Sequence, residues 1–179
     1  MRYLVTGGCG FLGRVLIDQS CERGDEVLVA DRLPGTNLPE GVVAYNVDLR
    51  DRAGLSRVLS ENKPLDGVFD LAAILAHVRS DRRTIWETNV EGTANLLHAC
   101  QEAGAPKIVF TSANCVFAEG FAEPVKEEQL PCPIEHYGAS KVEGEKLFAE
   151  NGSRVPYVLL NLRFFARRDD FHSNAARER

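Results

Sequence analysis

The chain has 179 residues, 44% of them hydrophobic, and a formal net charge of -5. This length suits one domain with a substantial core and leaves no room for a second full domain. The acidic balance provides no basic surface for nucleic acid, and no apolar run reaches membrane-spanning length, so we expect neither as a partner.

The first predicted elements are a strand, a glycine-rich turn and a helix. An apolar run ends at Val5, the turn carries Gly7, Gly10 and Gly13, and a helical pattern follows. In dinucleotide-binding folds such glycines allow a tight turn, close approach of a pyrophosphate, and close packing of helix on strand. The pyrophosphate would bind the N–H groups at the helix start. An ordinary glycine turn is the alternative.

A second apolar run, residues 26–30, predicts a buried strand that ends at Asp31. An acid at about this distance from the glycine turn binds the adenosine ribose in dinucleotide folds, and its charge would repel a 2′-phosphate. Asp31 therefore favours NAD over NADP, with a solvated aspartate at a strand end as the alternative. Arg32, the next residue, could instead accommodate that phosphate.

The rest of the chain alternates predicted strands with predicted helices. The strands are 42–47, 68–73, 107–112 and 155–165, and the helices are 50–61, 81–103 and about 136–151. This alternation predicts an α/β fold, a doubly wound parallel sheet of about six strands with helices on both faces. Residues 1–165 would form this domain, and the polar stretch 166–179 a loop or frayed tail.

The last predicted helix carries Tyr137 and Lys141, four residues apart and so on one helix face. The pKa of a tyrosine, near 10, must fall by about 3 units for the phenol to act as a base at pH 7. A neighbouring lysine together with an oxidised nicotinamide would supply positive charge of the right sign. Ser112 ends the preceding strand, where open α/β sheets bind ligands, so its hydroxyl could donate to a substrate. Taken alone, a Tyr-x-x-x-Lys pair more often lines a solvated helix face.

The order of the motifs resembles the extended short-chain dehydrogenase/reductase superfamily, whose NAD-dependent epimerases and dehydratases act largely on nucleotide sugars. The resemblance extends from Met1 to about Phe165. It depends on Thr6-Gly7-x-x-Gly10-x-x-Gly13, Asp31, Asp48-Leu49, Leu71-Ala72-Ala73, Asn89-Val90-x-Gly92-Thr93, Thr111-Ser112 with Val116-Phe117, and Tyr137-Gly138-x-Ser140-Lys141.

The resemblance implies a Rossmann fold, NAD as the cofactor, and a role for each matching residue. Tyr137 would be the catalytic acid/base, and Lys141 would anchor the nicotinamide ribose. Asn89 would help to order the site, with an amide on a helix surface as the alternative. The other implied cofactor contacts are Gly7, Gly10, Phe11, Leu12 and Gly13 in the turn, Asp31 with Arg32 at the adenosine ribose, Asp48 and Leu49 beside adenine, and Leu71, Ala72 and Ala73 along the cofactor.

Two features depart from the family pattern. The usual position of the catalytic hydroxyl, three residues before Val116, holds Ala113. Either Ser112 replaces that hydroxyl through a local shift, or the chain lacks a hydrogen bond whose loss can reduce the rate about 10²–10³-fold. Relatives also continue after the sixth strand with an arginine-proline pair and a substrate-binding lobe, whereas Phe164 follows Arg163 here. A truncated chain, a shortened gene product and a module that only binds cofactor all fit this ending.

The implied function is an oxidoreductase half reaction, in which hydride moves between a secondary alcohol carbon and NAD. Dehydrogenation, epimerisation and dehydration all stay open as the net reaction. A nucleotide sugar is the expected substrate, and a small hydroxy acid or amino acid derivative is the alternative. The rival hypothesis, a non-catalytic NAD-binding sensor or partner subunit, is motivated by Ala113 and the missing lobe. Relatives dimerise through the helices that match 81–103 and 136–151, so the resemblance implies a homodimer through these helices; their apolar positions fit the core of a single chain equally well.

Metal binding is not predicted. His77, His98, His136 and His172 lack the spacing of a ligand set, and the five cysteines include no Cys-x-x-Cys pair. An odd number of scattered thiols suits a reducing compartment, so we expect a cytoplasmic location. A phosphate-binding NTPase is disfavoured, because no Gly-Lys-Ser/Thr follows the glycines.

Overall fold

The computed structural model describes residues 1–33, 38–75, 81–105, 107–118, 125–151 and 154–162. These residues form one parallel sheet of six strands in the order β3-β2-β1-β4-β5-β6. The strands are β1 (Arg2–Thr6), β2 (Glu26–Asp31), β3 (Val43–Asn46), β4 (Gly67–Asp70), β5 (Ile108–Ala113) and β6 (Tyr157–Leu162). The predicted doubly wound α/β fold is confirmed. Its strand order reverses between β1 and β4, which is where such sheets bind ligands.

Five α-helices connect the described strands, namely α1 (Phe11–Glu22), α2 (Arg52–Glu61), α3 (Arg82–Trp86), α4 (Gly92–Ala103) and α5 (His136–Asn151). A π-helical turn, Glu87–Glu91, joins α3 to α4, and a short 3-10 turn, Asn114–Val116, follows β5. The predicted helix 81–103 is therefore present but contains a π-helical interruption that its apolar spacing does not reveal. Gly104 ends it with a φ of 69°, a left-handed conformation in which glycine avoids a Cβ penalty.

The helices cover the two faces of the sheet unequally. On one face, residues of α2, α4 and α5 join a large core cluster that includes Leu4 and Phe110. On the other face, Ile17 of α1 packs against Val5 and Val29. Strand β6 lies at the edge, where Val158 and Leu160 stay 40% exposed. Most of the core therefore lies beneath α2, α4 and α5.

Strand β4 ends earlier than predicted. The apolar run 68–73 predicts a strand to Ala73, but β4 ends at Asp70. The reason is that the amides of Leu71 and Ala72 donate to Thr6 Oγ1, at 3.2 and 3.3 Å, instead of continuing the ladder. Residues 71–73 therefore turn across the end of β1.

Some predictions fall outside the described residues: the end of the predicted strand 155–165, His77, His172, and the tail 166–179. Among the described helices, none is long and apolar enough to span a membrane.

Candidate functional site

The carboxyl ends of β1, β2 and β4 surround a cleft of about 310 Å³. Its lining includes most of the predicted cofactor contacts: Gly7, Gly10, Asp31, Arg32, Asp48, Leu49, Leu71, Ala72 and Ala73. The remaining lining residues, which the sequence did not single out, are Cys9, Ala30, Leu33, Val47, Ile74 and Thr88. We call this space the cofactor cleft. Residues far apart in the sequence meet here because parallel strands bring their carboxyl ends to one edge.

The glycine turn needs its glycines for two different reasons. Gly7 has a φ of +64°, and a Cβ there would lie 2.8 Å from the Cα of Ala72. At Gly13, in the first turn of α1, a Cβ would lie only 2.5 Å from the Gly7 carbonyl oxygen. The N-cap of α1, Gly10, makes no side-chain capping bond. Gly10 therefore puts no side chain at the start of α1, the kind of helix terminus at which backbone N–H groups bind a pyrophosphate in dinucleotide folds.

Two aspartates mark one end of the cofactor cleft. Asp31 accepts hydrogen bonds from the amides of Cys9 and Leu33, both at 3.0 Å, so its carboxylate ties the glycine turn to the end of β2. Asp48 accepts from Arg50 Nε and Nη2, at 3.0 and 2.8 Å. These hydrogen bonds hold the pKa of the Asp48 carboxyl below its usual range. Both carboxylates at this end of the cleft are therefore held in place by hydrogen bonds.

Asn89 lies in the π-helical turn and is 1% exposed. Its Oδ1 accepts from the Ile74 amide at 2.8 Å, while its Nδ2 donates to the Ile74 carbonyl and to Ser140 Oγ, both at 3.0 Å. The alternative of an amide on a helix surface is wrong. Asn89 connects the wall of the cofactor cleft to α5, and π-helical turns often occur at functional sites.

Tyr137 and Lys141 lie on α5, outside the residues that line the cofactor cleft. Lys141 is 2% exposed, and its Nζ donates to the Thr111 carbonyl at 2.8 Å. The same Nζ lies 4.7 Å from the ring centroid of Phe110 and 5.9 Å from that of Tyr137. Lys141 thus directs its charge into the protein, between the two rings.

The expected lowering of the Tyr137 pKa is not found in the protein alone. Burial raises the pKa of Tyr137 to about 12, and the negative charges of ionised Cys115 and Glu135 act in the same direction. Lys141 does not offset this effect from its position against the Thr111 carbonyl. A lowered pKa would need a further positive charge near the phenol.

The structure does not bring Ser112 to the cofactor cleft. Its side chain is 4% exposed and donates to the Glu145 carboxylate, which also accepts from Asn161 Nδ2 at 2.8 Å. The local shift that would let Ser112 replace the hydroxyl missing at Ala113 is therefore absent. Ser112 and Ala113 are neighbours in β5, and neighbouring side chains of a strand point to opposite faces of the sheet. The Ser112 hydroxyl therefore cannot take the place of a side chain at position 113.

The other predicted contacts in the turn, Phe11, Leu12 and Gly13, lie at the start of α1 just outside the lining of the cleft. Sequence reasoning missed Asp70, the buried last residue of β4. Its position directly before Leu71-Ala72-Ala73 was the available signal. All five cysteines are thiols. Within the described ranges, no group of three His, Cys, Asp or Glu residues could hold a metal ion.

Comparison with known families matches residues 3–166 to the NAD dependent epimerase/dehydratase family. The chain belongs to this family. Epimerase/dehydratase relatives include the UDP-glucose 4-epimerase of Streptomyces lividans, 34% identical over 79% of this chain and 44% of the relative. Another relative is the 3-beta-hydroxysteroid dehydrogenase of Mycolicibacterium neoaurum, 36% identical over 86% of this chain and 44% of the relative. The chain thus spans about half the length of these relatives.

Solved structures of the family share the fold. The UDP-glucose 4-epimerase of Thermus thermophilus, in complex with NAD, matches with a TM-score of 0.84 and 36% identity. It aligns with 90% of this chain and 54% of its own. The Thermotoga maritima UDP-glucose 4-epimerase with UDP-glucose matches with a TM-score of 0.82 and 29% identity, over 90% of this chain and 55% of its own.

The residues of the cofactor cleft fit NAD, the cofactor of the family. Positions 7 and 13 leave no room for a Cβ, so backbone alone forms the surface beside the start of α1. Asp31 is held at the end of β2, at the distance from the turn where an acid binds the adenosine ribose. The glycines at one end of the cleft and the carboxylate at the other are therefore of the kinds that bind NAD, as the family membership implies.

Proposed function

We propose that the chain carries the NAD-binding and catalytic residues of an epimerase/dehydratase-type oxidoreductase that acts on a nucleotide sugar. The observation that carries this proposal is the link between the cofactor cleft and α5. Asn89 bonds Ile74 at the wall of the cleft and Ser140 beside Lys141. Ser140 Oγ in turn donates to the Tyr137 carbonyl at 2.7 Å. The helix with the phenol and the ammonium is thereby held at a defined distance from the cleft.

In this proposal Tyr137 Oη takes the hydroxyl proton of the substrate when the alcohol is oxidised, and it returns a proton when the carbonyl is reduced. When bound, NAD supplies the hydride acceptor and donor for these steps. Burial lowers the pKa of Lys141. Its ammonium lies 5.9 Å from the centroid of the Tyr137 ring and does not by itself lower the pKa of the phenol. In this proposal the ammonium and the oxidised nicotinamide of bound NAD would together favour the phenolate.

The preference for a nucleotide sugar comes from the relatives. Several are named UDP-glucose 4-epimerase, and one structure contains UDP-glucose. A second relative is named for the dehydrogenation of a 3-beta-hydroxysteroid. Both names describe chemistry at a carbon that bears a hydroxyl group. A small hydroxy acid or amino acid derivative stays the alternative substrate.

A second candidate function is NAD binding without turnover, as a sensor or a partner subunit. One observation favours it: Ala113 lacks a hydroxyl, and Ser112 donates to Glu145 instead of facing the cofactor cleft.

One experiment separates the two functions. The purified chain is titrated with NAD by calorimetry and then offered UDP-glucose, UDP-galactose or a simple hydroxy acid, while NADH absorbance and product NMR are recorded. Turnover that is abolished by Tyr137→Phe, with NAD affinity retained, supports the enzyme. NAD binding with no turnover in either protein supports the module. Tyr3→Phe, whose hydroxyl bonds only the Met1 sulfur in the described structure, is the matched control and should behave as the unmodified chain.

Homodimerisation through α3, α4 and α5, and a cytoplasmic location, stay predictions from the sequence. Sedimentation or size-exclusion measurements of the purified chain at several concentrations would test the dimer directly.

A further inference from the structure

A buried carboxylate lies at the centre of the sheet beneath the cofactor cleft. Asp70, the last residue of β4, is 1% exposed. Its Oδ1 accepts from Thr6 Oγ1 at 2.7 Å, and its Oδ2 accepts from Thr93 Oγ1 at 3.4 Å. The Thr6 oxygen itself accepts from two amides, so its single proton is directed to Asp70. Both carboxylate oxygens therefore act as acceptors, as in the ionised form.

The strand register places Asp70 beside the residues of β5 that contact the ammonium of Lys141. Asp70 is the cross-strand partner of Phe110 on β5, and Lys141 Nζ lies over the Phe110 ring. Thr111 connects the two charged residues, because its carbonyl accepts from Lys141 Nζ and its hydroxyl donates to the Asp70 carbonyl, both at 2.8 Å. Two buried ionisable side chains, one on β4 and one on α5, are thus linked through Thr111 of the strand between them.

Each of these charges opposes the neutralisation of the other. Burial lowers the pKa of Lys141 overall, and the negative charge of Asp70 offsets part of this lowering. Burial raises the pKa of Asp70 overall, and the positive charge of Lys141 and the hydroxyls of Thr6 and Thr93 offset part of this rise. If either Asp70 or Lys141 were neutral, the other would be a buried charge without compensation. Because such a charge is costly, its neutral form would then be favoured.

The other titratable groups around Lys141 have a weaker electrostatic effect on it than Asp70 has. Cys115, in the 3-10 turn, has its pKa raised to about 11 by burial, so it carries no charge at pH 7. Cys100 of α4 has its pKa raised by burial and by Asp70. Glu145, one turn further along α5, is already bonded by Ser112 and Asn161. Tyr137 contributes its neutral ring. Asp70 is thus the principal negative charge that acts on the Lys141 ammonium.

We propose that Asp70 is a positioning residue for the reaction: its buried carboxylate keeps Lys141 protonated between the Phe110 and Tyr137 rings. This inference rests on the proposed function, in which a cationic Lys141 assists Tyr137 and the cofactor ribose. Asp70 touches neither substrate nor cofactor and acts through Lys141.

The test is a titration of Lys141 in Asp70→Asn. Asparagine keeps the shape of the side chain and can still bond Thr6 and Thr93, but it removes the charge. With lysine labelled by ¹³C at Cε and the Lys141 signal assigned through Lys141→Arg, we expect the midpoint of the Lys141 titration to fall by about 1 pH unit or more. The alkaline limb of turnover should move down by the same amount, and KM for substrate should change little.

Asp66→Asn is the matched control. Asp66 lies just before the opposite end of β4, is exposed, and accepts from the Arg2 amide at 2.6 Å. Asp66→Asn removes the same charge as Asp70→Asn at a site remote from Lys141, so it should leave the titration of Lys141 unchanged. A folded Asp70→Asn protein with an unaltered Lys141 midpoint would overturn the proposal.

A second measurement applies if Asp70→Asn does not fold. In the unmodified chain, the ¹³C shift of the Asp70 carboxyl should report an ionised group at pH 7, and Lys141→Met should move its titration to higher pH. A protonated Asp70 at pH 7 in the unmodified chain would contradict the inference. Both titrations are recorded without substrate, so an absence of turnover would count against the proposed function and not against the role of Asp70.

Discussion

Among single residues, we propose that Asp31 sets the preference of the cofactor cleft between dinucleotides. Both of its carboxylate oxygens are bonded to backbone amides, so the side chain cannot rotate away from an incoming ligand without breaking them. Arg32 follows directly and also lines the cleft, but no such bonds to the glycine turn involve its side chain in the described structure. We therefore expect the held carboxylate of Asp31 to affect the choice of cofactor more than the exposed side chain of Arg32 does.

We predict that the chain binds NAD at least about tenfold more tightly than NADP, a difference of about 1.4 kcal/mol. Asp31→Asn should reduce this preference, because it removes the charge that repels a 2′-phosphate while it keeps one acceptor oxygen. Calorimetric titration of both proteins with both cofactors measures the ratio. Equal affinity of the unmodified chain for the two cofactors would contradict this role of Asp31.

Tyr137 gives a prediction about pH. Because burial raises its pKa to about 12, the phenol of the cofactor-free protein should stay protonated above the ordinary tyrosine value of about 10. A pKa raised in the folded state favours the neutral phenol, so this contribution to stability is complete below about pH 10 and is lost as the pH rises through about 12. The tyrosinate absorbance of the unmodified chain minus that of Tyr137→Phe measures the midpoint. Addition of NAD should lower it, since the oxidised nicotinamide is cationic.

At the scale of elements, the π-helical turn has a clear structural role. It places Asn89 where its side chain makes two hydrogen bonds to Ile74, in the segment after β4, and one to Ser140 of α5. An uninterrupted α-helix would change the direction of residue 89 relative to α4 and would break this connection. The turn therefore aligns two elements that the predicted site needs together.

Asn89→Leu should lower the free energy of unfolding by about 2–4 kcal/mol, because it removes the side-chain partner of the Ile74 amide and carbonyl and the donor to Ser140 Oγ, all of which are buried. NAD affinity should fall as well, since Ile74 lines the cleft. Urea unfolding and calorimetry measure the two effects. Glu91→Gln, an exposed change in the same π-helical turn, is the control and should stay within about 0.5 kcal/mol of the unmodified chain. A stable Asn89→Leu protein with normal NAD affinity would show that Asn89 is not needed to connect the cleft with α5.

At the scale of the whole molecule, stability depends mainly on one side of the sheet. Phe148 of α5 is 1% exposed and packs against the rings of Phe110 and Tyr157, with centroid distances of 4.9 and 5.5 Å. Leu160 of β6 points to the other face and is 40% exposed. The two faces of the edge strand therefore differ sharply in how much apolar surface they bury.

Phe148→Ala should lower the free energy of unfolding by about 3–5 kcal/mol, the range for a large buried aromatic side chain. Leu160→Ala should cost less than about 1 kcal/mol, because much of its side chain is already in water in the folded state. Chemical denaturation of both variants measures the difference. Similar losses in the two variants would show that a further segment covers Leu160 in solution.

The predictions from sequence succeeded where the signal is local. The apolar runs gave the parallel strands, and Gly104 marked a helix end through a backbone conformation that glycine adopts readily. The glycine turn and Asp31 were recognised because their spacing along the chain reflects the connection of one strand to the next. The early end of β4 was missed, because the Thr6 hydroxyl that captures the amides of residues 71 and 72 comes from another strand.

Periodicity, glycine positions and motif order lie along the chain itself, so they were enough to predict the fold class, the family and most of the residues that line the cofactor cleft. Packing in three dimensions set the partners of the polar side chains, which no local pattern reveals. It placed Ser112 against Glu145, Lys141 against the Thr111 carbonyl, and Asp70 between two threonines. The physical reason is that buried polar groups must find hydrogen-bonding partners wherever packing brings them, and those partners lie on elements distant in the chain.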